Sequence, residues 1–183
     1  DFNGSESFIV TVSDGELEDL ETFTITFAPV NDAPILATVS NVSFDEDGFG
    51  STSLSGSDVD VDALSYSISG GSDITATLEG SDITFSAPAN YNGSEEFSVS
   101  VNDGEYTDSQ SISVTVLAVN DASVATAGLS GKTNADQAIV ITFAGNDIDG
   151  DALTGSLGPD TENGSILING NIATYTPTLS NNR

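Results

Sequence analysis

Two acidic triplets, Asp58-x-Asp60-x-Asp62 and Asp147-x-Asp149-x-Asp151, carry the most distinctive chemistry in the chain. Each follows a short strand-like stretch and precedes a Leu-led one, at Leu64 and Leu153, so each falls in a loop where alternate carboxylates converge on one centre. Two bare carboxylates about 4 Å apart repel by about 1 kcal/mol in water and about 4 kcal/mol at an effective dielectric of 20, so such a cluster calls for a cation. The chain has no Cys, His, Met or Trp, which removes thiolate and imidazole chemistry and leaves oxygen as the only ligand atom. Hard cations suit that set. Ca²⁺ is favoured over Mg²⁺, because loops offering mixed carboxylate, amide and carbonyl oxygens match its flexible coordination of six to eight. The competing reading is a set of solvated surface acids in a salt-adapted protein; recurrence of the triplet at one structural position speaks for ligands.

Two familiar calcium motifs fail on the residues. An EF-hand loop requires Gly at its sixth position and Glu at its twelfth. Counting from Asp58 gives Ala63 and Ser69, and from Asp147 gives Ala152 and Gly158. A calcium β-roll needs tandem Gly-rich nonapeptides, and only Gly70-Gly71-Ser72-Asp73 faintly resembles one copy.

The elements that position the triplets follow from an internal repeat. Residues 1–8 return as 90–97, Asp14-Gly15-Glu16 as Asp103-Gly104-Glu105, Val30-Asn31-Asp32-Ala33 as Val119-Asn120-Asp121-Ala122, and the first triplet as the second, all 89 residues apart. The repeat divides the chain into a C-terminal part at 1–33, a complete unit at 34–122 and an N-terminal part at 123–183, as expected of an excerpt from an array. Within it the apolar period is two, as in Phe8, Val10, Val12 and in Phe23, Ile25, Phe27. Seven strands are expected in the complete unit, at 42–44, 51–54, 64–69, 74–78, 83–86, 97–101 and 112–117. That number in a unit of this length predicts an all-β, immunoglobulin-like Greek-key sandwich. Helical spacing is absent. Asn163-Gly164 and Asn169-Gly170 predict tight hairpin turns.

Composition sets the remaining bounds. Two Lys plus Arg against 29 Asp plus Glu give a net charge of −27 and a pI near 4.1, which argues against nucleic acid and anionic membrane as partners. A hydrophobic fraction of 37 % in alternating runs is more than a disordered polyacid carries, so the chain should fold. No apolar run approaches the length of a membrane span, and the first residues lack a signal-peptide pattern, so export signals are expected outside this segment. Catalysis would have to rest on carboxylate pairs or on Lys132, the single lysine; acids that recur at a fixed offset do not make a single catalytic site, and no enzyme is expected. Asn-x-Ser acceptors begin at Asn3, Asn41, Asn92 and Asn163, with meaning only in a glycosylating host.

At this point the residues resemble the cadherin-like tandem repeats of large bacterial surface proteins. The stretch from Asp58 to Ile68 looks like the cadherin Asp-x-Asp element with its Leu-x-Tyr-Ser-Ile strand; Val30-Asn31-Asp32-Ala33-Pro34 looks like an interdomain linker. Val10-x-Val12-x-Asp14-Gly15 and Val99-x-Val101-x-Asp103-Gly104 look like the strand and loop before the last strand, and Tyr175-Thr176-Pro177 like the bacterial versions. The resemblance implies calcium ions at the junctions between successive domains. For the first junction it implies Asn31, Asp32, Asp58, Asp60 and Asp103, with Asp62 closing the loop. For the second it implies Glu46 or Asp47, Asn120, Asp121, Asp147 and Asp149, with Asp151 in the loop role. The departures are Ala28-Pro29 where eukaryotic cadherins carry another acid, and Asn-Gly-Ser-Glu in place of Asp-x-Glu, so three ions per junction do not carry over. Ser123 replaces Pro34 in the second linker, which makes it less rigid.

The function so implied is mechanical: calcium-stiffened extender repeats of an adhesin or stalk at a bacterial surface or outside the cell, with neighbouring repeats as partners. Two alternatives stand beside it. One is a module gripping polysaccharide or protein, or adhering homophilically, for which Phe2, Tyr91, Phe49 and Tyr106 are the candidate exposed rings, while Phe8, Phe23, Phe97 and Tyr66 occupy core-like strand positions. The other is a filament in which the partial repeats of neighbouring chains complete one another.

Overall fold

The computed structural model describes residues 2–134, 136–156, 158 and 161–178. The sequence expectation for the third repeat therefore extends beyond the described residues at 179–183. Among the described residues every regular element is a strand, and no helix is long and apolar enough to cross a membrane. Two compact units result, residues 1–118 and 119–183.

The first unit begins with a hairpin, β1 (Gly4–Ser13) and β2 (Glu18–Phe27), paired antiparallel through ten positions. The complete repeat follows as β3 (Ile35–Leu36), β4 (Val42–Asp45), β5 (Phe49–Ser53), β6 (Gly56–Ser57), β7 (Ser65–Gly70), β8 (Thr75–Glu79), β9 (Asp82–Ser86), β10 (Gly93–Asn102) and β11 (Thr107–Leu117). One sheet runs β4-β11-β10-β7, with β4 parallel to β11, and the other runs β5-β9-β8, with a short β3-β6 ladder. This is the immunoglobulin-like sandwich expected.

Nine strands appear in the repeat instead of seven, because the first expected edge is split. β3 pairs with β6, and β4 crosses to β11. Side chains of β11 fix the crossing: Asp108 Oδ2 accepts the Leu36 amide at 2.8 Å, Gln110 Oε1 accepts the Val39 amide at 3.1 Å, and Gln110 Nε2 donates to Leu36 O at 2.9 Å. Two-residue strands are too short to show a period.

Alternation places Leu36, Phe44, Leu54, Ile74, Ile83, Phe85, Phe97, Val99, Val101, Ile112, Val114 and Val116 in one core, with Phe85 and Phe97 edge to face at 5.3 Å. Glu95 closes the end of β7. Its carboxylate accepts the amides of Ser72, Asp73 and Ile74 and the Ser72 hydroxyl at 2.6–3.1 Å. Those donors hold its pKa down to about 2, the Ser72 hydroxyl foremost.

The hairpin β1–β2 departs from the sequence reading. Phe8 and Phe23 hold core-like positions in the alternation, yet they are 41 % and 46 % exposed and stack on each other at 5.4 Å. Their alternation is that of a buried face, but no second sheet covers it among the described residues.

The second unit holds β12 (Val124–Ala125), β13 (Ile139–Thr142), β14 (Gly145–Asn146), β15 (Gly164–Asn169) and β16 (Ile172–Pro177), with sheets β13-β16-β15 and β12-β14. Gly170, at φ +62°, makes the tight turn expected of Asn169-Gly170. Asn163-Gly164 does not form a hairpin. It opens β15, and the Asn163 carbonyl accepts from the Thr178 amide and the Tyr175 hydroxyl, which uses the segment as a strand start.

Candidate metal centre

The loop after β6 brings Asp58, Asp60 and Asp62 together, with one carboxylate oxygen from each lying within 4.8 Å of the others. Local bonding folds it that way. Asp58 Oδ1 accepts the amides of Asp60 at 2.8 Å and Asp62 at 3.3 Å, an Asx turn that curls the chain around the first carboxylate. The turn requires a left-handed residue at its centre, and Val61 fills that place at φ +66°. A β-branched side chain there is a genuine outlier, and the loop carries that strain.

Asp58 Oδ2 is inaccessible to solvent and receives no hydrogen bond. An ionised carboxylate oxygen in that condition costs free energy unless a cation approaches it. The chain has only two cationic side chains, Lys132 and Arg183, both outside residues 1–118. The chemistry of the donor set, three carboxylates and flexible loop oxygens, fits a hard divalent cation.

The linker reaches the same loop. The Asp32 amide donates to Asp60 Oδ2 at 2.8 Å, and Asn31 Nδ2 donates to Asp103 Oδ2 at 3.1 Å. Asp103 itself is held by the turn between β10 and β11, where its Oδ1 accepts the amides of Tyr106 at 2.6 Å and Glu105 at 2.7 Å. These bonds, with that from Tyr106 the largest, lower its pKa, and Asn31 adds to the effect. A cleft of about 280 Å³ borders Asp32 and Asp60 on the side of Phe2, Asn3 and 28–30.

The second unit repeats the local geometry. Asp147 Oδ1 accepts the amides of Asp149 and Asp151, each at 3.2 Å, and Asp149 Oδ2 accepts the Asp121 amide at 2.6 Å. Asn120 Nδ2 donates to Asp121 O at 2.9 Å. Gly150, at φ +79°, occupies the position of Val61 and meets the left-handed requirement without a Cβ. Back in the first unit, Glu46 and Asp47 occupy the turn after β4. The Glu46 amide donates to Leu117 O at 2.9 Å, and Asp47 Oδ1 accepts the Asn90 amide at 3.1 Å.

The sequence reading missed the central residue of the triplet loop; Gly150 was the available signal, since its counterpart must share its φ. Of the four candidate rings, Phe49, Phe2 and Tyr106 are exposed, but Tyr91 packs partly against the core. Its ring lies over Gly93, whose φ of +157° and missing side chain leave room for it.

Tandem sandwiches with repeated acidic turns define a chain of immunoglobulin-like repeats. The chain belongs to the bacterial Ig domain family, which matches residues 31–115 and again 120–183. None of the curated proteins matches it. Among solved structures it is similar to the endo-fucoidan hydrolase MfFcnA4 from glycoside hydrolase family 107, at 15 % identity and a TM-score of 0.37, over 97 % of this chain and 30 % of that one. It is also similar to domains 4–9 of the surface layer protein SbsC, at 13 % identity and a TM-score of 0.36, over 98 % of this chain and 32 % of that one. Titin domains Z1Z2 in complex with telethonin match at 14 % identity and a TM-score of 0.38, over 83 % and 84 % of the two chains. The chain thus spans about a third of the hydrolase and surface-layer structures, and likenesses at these TM-scores carry no functional weight.

Proposed function

We propose that the chain is a run of cadherin-like spacer repeats from a bacterial surface or extracellular protein, non-catalytic, in which Ca²⁺ stiffens the junction between successive domains. The repeats would be bounded at 1–33, 34–122 and 123–183. The observation that carries this reading is the buried Asp58 Oδ2 without a hydrogen-bond donor, within a three-carboxylate cluster that the linker already touches through Asp32. An ion there would take oxygens from Asp58, Asp60 and Asp62, with Asn31, Asp32 and Asp103 supplying or orienting ligands from the linker and the β10–β11 turn. Asp121, Asp147, Asp149 and Asp151 would serve the next junction by repetition, with Asn120 orienting the linker.

The mechanism follows from charge. An ion held from both sides of a linker ties a domain to its neighbour; without it, repelling carboxylates are left at the hinge. Each sandwich core is apolar and would stay folded. Sites of this kind fill at the millimolar calcium found outside cells.

Small-angle scattering of two or more intact repeats, titrated with calcium and then chelator, tests the reading. A longer and stiffer particle with calcium, reversed by chelator and absent in Asp58→Asn, is the expected result. An unchanged particle would return the triplets to solvated surface acids.

A further inference from the structure

Four aspartates are followed directly by glycine: Asp14, Asp47, Asp103 and Asp149. Such a step is chemically labile, because the glycine amide can close on the aspartate side chain with no Cβ beside it to obstruct the approach. The residue pair is the same in all four, so the sequence does not rank them. The structure does, through what each glycine amide donates to. Gly15 N donates to Ser13 Oγ at 3.2 Å, Gly48 N to Asp45 O at 3.1 Å, and Gly104 N to Asn102 Oδ1 at 2.8 Å. Each of those nitrogens must give up a hydrogen bond before it can attack. The Gly150 amide donates to no group among the described residues.

Nothing crowds that step either. Asp149 and Gly150 are both exposed, and a Cβ added at Gly150 would meet no atom within 4 Å. The other acidic triplet supplies an internal comparison, since Asp60-Val61 lies 89 residues earlier in the same Asx turn. The Val61 amide also donates to nothing among the described residues, and its φ of +66° is close to the +79° of Gly150. Only the side chain differs. A β-branched residue crowds its own nitrogen, so Val61 blocks the closure that Gly150 permits.

We propose that Asp149-Gly150 is a site of spontaneous covalent modification, where aspartate isomerises to isoaspartate. The Gly150 nitrogen bonds to Asp149 Cγ. One side-chain oxygen leaves as water, taking the amide proton and one proton from solvent, and a cyclic imide remains. Water then adds to one of the two ring carbonyls. Addition at Cγ breaks the new bond and restores aspartate; addition at the main-chain carbonyl breaks the original peptide bond and leaves the chain running through Cβ and Cγ. Either opening returns a proton, so the composition is unchanged. Isomerisation puts an extra methylene into the turn and converts the side-chain carboxyl into a peptide carbonyl. The bond from the Asp121 amide to Asp149 Oδ2 loses its acceptor, and the two amides that Asp147 Oδ1 accepts lose their spacing. The second acidic turn is dismantled and the first is spared. This inference does not rest on the calcium reading.

The test is prolonged incubation of the folded 183-residue chain in chelator at neutral pH, followed by proteolysis and electron-transfer fragmentation, which tells isoaspartate from aspartate. Asn-Gly steps gain mass as they lose ammonia and are told apart in the same digest. The expected result is isoaspartate at 149 forming about fivefold faster than at 14, 47 or 103, the ratio that one hydrogen bond lost before attack corresponds to. None forms at Asp60. Gly150→Val abolishes the reaction at 149, and Val61→Gly creates it at Asp60, so the proposal stays testable even where the first variant disturbs its own loop. Ser13→Ala, which frees the Gly15 amide, raises the rate at Asp14. In urea the four Asp-Gly steps converge. Equal rates in the folded chain, a ranking that persists in urea, or a Val61→Gly variant without isoaspartate at 60 each overturns the proposal.

Discussion

The hairpins β1–β2 and β10–β11 are the same local structure in two environments. They share register, length and apolar alternation, and each closes on a turn whose Asp, Asp14 or Asp103, accepts the amides two and three residues on. Yet Val101 is 0 % exposed and Val12 69 %, because among the described residues β10–β11 has a second sheet across from it and β1–β2 has none. Strand pairing and turn chemistry are therefore set within one hairpin, residues 4–27 or 93–116, whereas burial is set by elements outside it. A period-two pattern states which face wants to be covered, not whether it is covered.

The largest consequence concerns stability. Phe97→Ala removes a buried ring that contacts Phe85 and should cost about 3–5 kcal/mol. Phe8→Ala, the identical change at the matching register, removes a ring with no core around it and should shift the main unfolding transition by no more than about 0.5 kcal/mol in dilute protein. Urea unfolding followed by tyrosine signals from Tyr66 and Tyr91, both packed on the core, measures the difference. Equal losses would mean that β1–β2 is covered in solution.

That contrast also marks what the sequence makes legible. The alternation at Phe97, Val99 and Val101 reveals a strand and its inward face, and the repeat offset reveals that Asp147, Asp149 and Asp151 share a geometry with Asp58, Asp60 and Asp62. What stays hidden depends on partners distant in sequence. The crossing of β3 to β4 rests on Asp108 and Gln110 reaching back more than seventy residues. The unpartnered Asp58 Oδ2 results from the way the loop folds over it, which no spacing rule records. The left-handed Val61 is visible only by comparison with Gly150.

Glu95 sharpens the comparison at intermediate scale. Its pKa of about 2, against an ordinary 4.5, means that the folded state favours the carboxylate. The sign follows: its contribution is present in full above the unfolded value and is lost as pH falls from about 4.5 toward about 2. Glu95→Gln should lower stability at pH 7 by about 1 kcal/mol, once solvent screening is allowed for, and should cost distinctly less at pH 2. Glu6 holds the same position in β1, and no hydrogen bond reaches its side chain among the described residues, so Glu6→Gln should change neither value. Unfolding midpoints at the two pH values decide between a specific cap and general acidity.

The smallest effect separates the two turn aspartates. Asp14 and Asp103 both have lowered pKa values, led by the backbone amides of Leu17 and Tyr106 respectively, but only Asp103 also accepts from the linker, through Asn31. Asn31→Ala should therefore raise the Asp103 pKa and leave that of Asp14 where it is, as read by carboxyl NMR titration in chelator. Both sites keep their backbone donors, so a change confined to Asp103 reports the linker contact alone. If both aspartates titrate as before, Asn31 does not hold Asp103 in solution, and the bond from the Asp32 amide to Asp60 is what remains of the hydrogen bonds tying Asn31 and Asp32 to the complete repeat among the described residues.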